Sequence, residues 1–230
     1  MVAPQLVGVT LLTLGAGVVL AGAVQTPLTL LERTLLAVVT GIIASSALTY
    51  AVSIAAGLSS ATVLGGPSIV ILTAVAARVF KRDALRSWRL SFAGARAFWR
   101  GDPSRAWGAV ALSVVAMAIV AVIFARTLYS DSGALASGYT TVWADWSQHL
   151  TTASSFAVAQ NDGFTNPLFS GTALIYPFLP DFHSATLMTL GASPAAALAL
   201  PSALLVLVIG MLVVCVARRL GVGPWGGIVA

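Results

Sequence analysis

PAAALALPSALLVLVIGMLVVCVARR, residues 194–219, decides the architecture. No charged side chain interrupts it from Pro194 to Ala217, and it exceeds the roughly 20 residues a helix needs to cross a hydrocarbon core of about 30 Å. Arg218 and Arg219 close it. Lys and Arg concentrate in cytoplasmic connections, so the span over 194–217 is expected to end on the cytoplasmic side. Ser193-Pro194 reads as its N-cap and first turn, and Pro201 reads as a kink.

The rest of the chain fits that reading. Hydrophobic residues make up 58%, charged residues 8%, and mean hydropathy is +0.96; a soluble domain carries roughly 25% charged residues. The expectation is an all-α, polytopic transmembrane helix bundle forming a single domain over 1–230, with further spans at about 4–24, 35–57, 61–80 and 107–129. Thr26-Pro27 reads as the start of the second helix. Glu32 and Arg33 in its first turns read as headgroup-level charges. Gly65-Gly66-Pro67 either kinks the third run or starts it. Another apolar segment begins at Pro224, so the chain is expected to be an N-terminal fragment of a longer one. Cys215 alone excludes an internal disulfide and a thiolate zinc site.

A cytoplasmic basic loop is expected over 81–106. Lys81 to Arg105 holds seven of the twelve basic residues. Leu85, Trp88, Phe92, Ala95 and Trp99 recur at helical steps, with Arg82, Arg86, Arg89, Arg96 and Arg100 one strip around. A helix lying in the membrane interface and an ordinary loop obeying the positive-inside rule both fit. The isoelectric point near 10.1 therefore reports topology, and no nucleic-acid partner is expected.

The span over 107–129 leaves the cytoplasm and delivers an extracytoplasmic loop, 130–193. This loop holds Asp131, Asp145, Asp162 and Asp181, which are four of the seven acids, both histidines, and no Lys or Arg. Ala144 to Ala159 reads as a helix carrying Asp145 and His149 four residues apart on one face. Leu174 to Leu190 resembles a crossing, but crossing there would put Arg218-Arg219 outside and Asp181 mid-membrane, at roughly 2.5–3.5 kcal/mol. It is therefore expected to lie along or dip into the outer leaflet. Trp143 and Trp146 suit either interfacial anchoring or stacking on a sugar. Arg126 suits either snorkelling or a lipid phosphate.

The order of these parts, Asp145-Trp146-Ser147-Gln148-His149 opening a surface helix, then Asn166-Pro167-Leu168-Phe169-Ser170-Gly171, Tyr176-Pro177-Phe178-Leu179, a second surface helix and a span closing on arginines, resembles the N-terminal part of the C-type (GT-C) membrane glycosyltransferases. The resemblance covers about Trp107 to Ala230. It implies a polyprenyl-phosphate sugar as donor and catalysis at the outer face of the plasma or inner membrane. It also implies that Asp145 is the catalytic base or a ligand of a divalent metal. Many relatives have an Asp-Glu pair where this chain has Asp145-Trp146. His149 as partner of that carboxylate, and Asp181 and His183 as substrate-binding groups, come from the residues themselves. A non-catalytic membrane scaffold needs no such cluster, and a transporter would put its ionisable groups near the bilayer midplane.

Overall fold

The computed structural model describes residues 4–77, 82–101, 103–132, 134–139, 143–161, 163, 165–169 and 171–221. Its helices are α1 (Pro4–Ala23), α2 (Leu30–Ala56), α3 (Ser60–Ala76), α4 (Arg82–Gly101), α5 (Pro103–Thr127), α6 (Trp143–Ala157), α7 (Leu179–Thr189) and α8 (Pro194–Arg219). A short antiparallel pair, β1 (Tyr129–Asp131) and β2 (Ala134–Ala136), sits between α5 and α6 with Ser130 opposite Leu135. Among the described residues the regular structure is therefore helical apart from this hairpin and one isolated bridge, Thr165 to Ala173. α1, α2 and α8 are long and apolar enough to cross a membrane; α3 and the 113–127 part of α5 are shorter apolar helices. The segment expected to open at Pro224 lies outside the described residues.

Capping chemistry moves two of the expected boundaries. α2 does not start at Thr26-Pro27: Thr29 is its N-cap, accepting from the Glu32 backbone N–H while the Glu32 carboxylate accepts from the Thr29 N–H. That reciprocal box satisfies two otherwise unpaired donors, which Thr26 followed by a proline does not. Ser59 and Thr62 repeat the device at α3. α3 thus begins before Gly65-Gly66-Pro67 and carries Pro67 inside it, ending at Ala76 and not near Phe80. Ser193 does cap α8 as its sequence suggests, accepting from the Ala196 N–H.

α1 and α2 pack antiparallel with almost no side chain between them. A Cβ on Gly17 would lie 1.8 Å from the Ala37 carbonyl oxygen, and one on Gly41 2.4 Å from that of Thr13. Small residues at such crossings let backbones touch. α3 turns back on both, Gly66 resting on Thr49.

Glu32 and Arg33, read from the sequence as headgroup-level charges, are both buried against protein groups. Arg33 reaches back to the α1–α2 turn: Nη1 donates to the Ala21 and Val24 carbonyls at 2.6 and 3.0 Å, Nη2 to Thr26 at 3.2 Å, and Nε to Ser91 Oγ of α4 at 3.0 Å. Glu32 pairs with Arg219 at the far end of α8, whose Nη2 also donates to the Pro27 carbonyl at 2.7 Å. A chain bend and the last turn of α8 are thereby tied together by charge-assisted bonds.

At the opposite end of α2, Tyr50 meets Phe178 and Phe182 with ring centroids 5.0 Å away and Phe156 at 6.3 Å. Phe156, Phe182, Ala153 and Ala185 are fully buried. This aromatic cluster docks α6 and α7 onto α2. Glu32 and Tyr50 are about 27 Å apart along the helix axis at 1.5 Å per residue, so the arginine-rich end and the end bearing α6 and α7 are separated by close to a bilayer's thickness.

Candidate active site

α6 projects Asp145 into the open and His149 toward α7. The helix sits this way because Trp146 and Leu150, on the strip beside them, join the core cluster; Trp146 packs edge-on against Phe124 at the end of α5, 6.3 Å between centroids. α7 starts at Leu179, later than the expected Leu174, since Pro180 suits a first turn. That register buries Asp181 beneath α6.

The two helices meet through one short bond. His149 Nδ1 lies 2.7 Å from Asp181 Oδ1, and Asp181 is 2% exposed. An ionised carboxylate only accepts, so with Asp181 ionised Nδ1 is the donor of this pair. The rings of Trp146 and Tyr176 stand edge-on to the imidazole at 6.4 and 6.0 Å. The Asp181 hydrogen bond holds the His149 pKa above its ordinary value, helped by the charges of Asp181 and Asp145 and opposed by burial. Burial pushes the Asp181 carboxyl up, and its bond and attraction to His149 act against this. Asp181 Oδ2 is buried with no hydrogen-bond partner among the described residues.

Asp145, His149 and Asp181 therefore form one acidic, imidazole-bearing unit: an exposed carboxylate, a histidine one turn on, and a buried carboxylate beneath it. No family model, curated protein or solved structure matches the chain. The unit must be read from its own chemistry. An exposed carboxylate can take a proton from a hydroxyl, and a histidinium beside it can hold an anionic or hydroxyl-bearing ligand.

The other expected site residues scatter. His183 turns away from Asp145: its Nδ1 lies 3.0 Å from Ser46 Oγ on α2, and burial lowers its pKa from 6.5 to about 4. Its ring reaches the head of an apolar groove of about 690 Å³ between α1 and α8, along which run Leu6, Thr10, Leu14, Leu200 and Leu204. Arg126 lines a separate shallow cleft of about 430 Å³ with Tyr129, Gly138 and Tyr139. Trp146 is half-buried in the core contact just described, and the Trp143 side chain lies outside the described residues. Among the described residues no three His, Cys, Asp or Glu side chains gather closely enough to hold a metal ion.

Two contributors escaped the sequence reading. Ser46 sits mid-helix among apolar residues and betrays nothing of its histidine partner. Tyr176 stands in a quoted motif, but only folding brings it over His149.

Proposed function

We propose that this chain belongs to a C-type membrane glycosyltransferase, which moves a sugar from a polyprenyl-phosphate donor to an acceptor hydroxyl on the extracytoplasmic face. The observation that carries the reading is the exposed Asp145 one turn from the His149–Asp181 pair, at the end of α2 remote from its arginine cluster. In this reading α1, α2, α3, α5 and α8 cross the bilayer, α4 lies in the cytoplasmic interface, and α6 and α7 lie in the outer one. The positive-inside rule supplies the sidedness.

Asp145 accepts the proton of the acceptor hydroxyl as its oxygen attacks the anomeric carbon. The bond from that carbon to the phosphate oxygen breaks, and the polyprenyl phosphate leaves with the electron pair. His149, one turn from Asp145 and with its pKa raised by its bond to Asp181, neutralises negative charge beside Asp145 when it is protonated. The donor's tail lies among the spans, where the groove between α1 and α8 is apolar along its length. Transport is disfavoured by placement: the charged groups of α2 and α8 sit at helix ends, whereas transport sites occupy the midplane.

The test is Asp145→Asn in the full-length protein, assayed for transfer from a lipid-linked sugar. Loss of a general base is expected to slow turnover by about 10²–10⁴-fold. Undiminished transfer at normal expression overturns the assignment.

A further inference from the structure

α4 presents three distinct faces. The first is toward the protein: Ala84, Ser87 and Ser91 are buried, Ser91 Oγ donates to the Leu28 carbonyl at 2.7 Å, and Trp88 Nε1 donates to the Val18 carbonyl at 3.1 Å. The Arg33 guanidinium covers the Trp88 ring, 5.9 Å from its centroid. The helix is thus fixed in rotation against α1 and α2, and Trp88 and Ala95, which share a helical strip with Leu85, Phe92 and Trp99 in the sequence, belong to its inner side.

The second face is basic. Arg86, Arg89, Arg96 and Arg100 are exposed, and fall within roughly 80° of one another at 100° per residue. Among the described residues none of them meets an acidic side chain. The third face runs alongside: Leu85, Phe92 and Trp99, seven residues apart, are 49%, 57% and 40% exposed. A line of outward apolar side chains suits water poorly, and four arginines without an acidic partner among the described residues lie beside it. The combination matches a bilayer boundary, with apolar groups entering the acyl region and guanidiniums at phosphate level.

We propose that α4 is a docking surface for anionic phospholipid, held in register by the Arg33–Ser91–Trp88 contacts, with the arginines binding headgroup phosphates and Phe92 inserted below them. The partner is a negatively charged lipid surface because charge complementarity is what these arginines lack among the described residues. The proposal is independent of the glycosyltransferase reading.

The experiment uses the full-length protein in nanodiscs of phosphatidylcholine with and without phosphatidylglycerol. A nitroxide is placed at Phe92→Cys in a Cys215→Ser background, and its accessibility to oxygen is compared with that to a water-soluble nickel chelate. The label is expected to be oxygen-accessible and chelate-protected, more so with phosphatidylglycerol. Co-purified phosphatidylglycerol is measured by mass spectrometry in parallel. Arg89→Gln with Arg96→Gln is expected to reduce its excess over phosphatidylcholine, with a ceiling of about fivefold per arginine. Both residues are exposed, so the variant keeps the buried contacts of α4. High salt, which shortens the screening length to about 3 Å at 1 M, is expected to act in the same direction. A chelate-accessible label in both nanodiscs, or phosphatidylglycerol retention unchanged in the double variant, overturns the proposal; a surface built for an acidic protein partner gives both.

Discussion

His183 and Asp181 are two residues apart, and the fold treats them oppositely. Asp181 is turned toward α6 and paired with a histidine, while His183 is turned toward α2 and paired with a hydroxyl. A buried imidazole without a carboxylate stays neutral, which is why its pKa falls to about 4 from 6.5. Between these values the unfolded chain binds a proton that the folded chain refuses. Stability from His183 is therefore complete above pH 6.5 and is lost as pH falls toward 4, by at most on the order of 3 kcal/mol. His149, its pKa raised, contributes with the opposite sign: its stabilisation is complete at low pH and lost as pH rises. Thermal unfolding of His183→Gln against the parent across this range isolates the first effect. The parent's midpoint is expected to drop more steeply on acidification, and parallel curves would show that His183 is not buried as described. The sequence contained both histidines and all the acids of the loop, and placed Asp145 and His149 on one face. It did not contain the pairing of His149 with Asp181, thirty-two positions away, because that depends on how two helices cross.

Helix contacts here depend on single hydrogen atoms in place of side chains. Gly65 and Gly66 are neighbours in α3, yet a Cβ at Gly66 would fall 1.9 Å from Thr49 Oγ1, while one at Gly65 meets nothing within 4 Å. Gly66→Ala is expected to force α3 off α2 and destabilise by about 1–3 kcal/mol. Gly65→Ala is expected to be neutral or to stabilise by about 0.5–1 kcal/mol, through the backbone entropy lost by the unfolded chain. Unfolding midpoints of the two variants in one detergent check the contrast; equal effects would contradict the packing. The existence of each apolar helix was legible from run length, and α8 was legible to its cap. The starts of α2 and α3 were not, because several Ser and Thr residues compete as caps and the winner is the one whose third residue answers, Glu32 or Thr62.

Glu32 joins two roles, since it completes the cap of α2 and receives Arg219 from α8. The first bend of the chain and the end of its last described helix are thus coupled across 187 positions. Glu32→Gln and Arg219→Gln, each breaking this contact, are each expected to lower the unfolding midpoint, and the double variant to be no less stable than the less stable single one. Additive losses in that cycle would mean the two residues act separately. The molecule then has two polar ends joined by apolar helices, one end built from guanidiniums and carbonyls, the other from carboxylates and imidazoles.

Composition and run length were enough to show a helical chain with helices long and apolar enough to cross a membrane, because crossing hydrocarbon demands long uncharged segments whatever surrounds them. Local periodicity placed Asp145 beside His149 for the same reason: helix geometry is a near-neighbour property. Tertiary contact alone buried Asp181 under His149, sent His183 to Ser46, enclosed Arg33 among carbonyls and turned Trp88 inward. Those outcomes depend on which faces of distant helices meet, and that choice is made by the Tyr50–Phe156–Phe182 cluster and the glycine contacts of α1, α2 and α3 acting together.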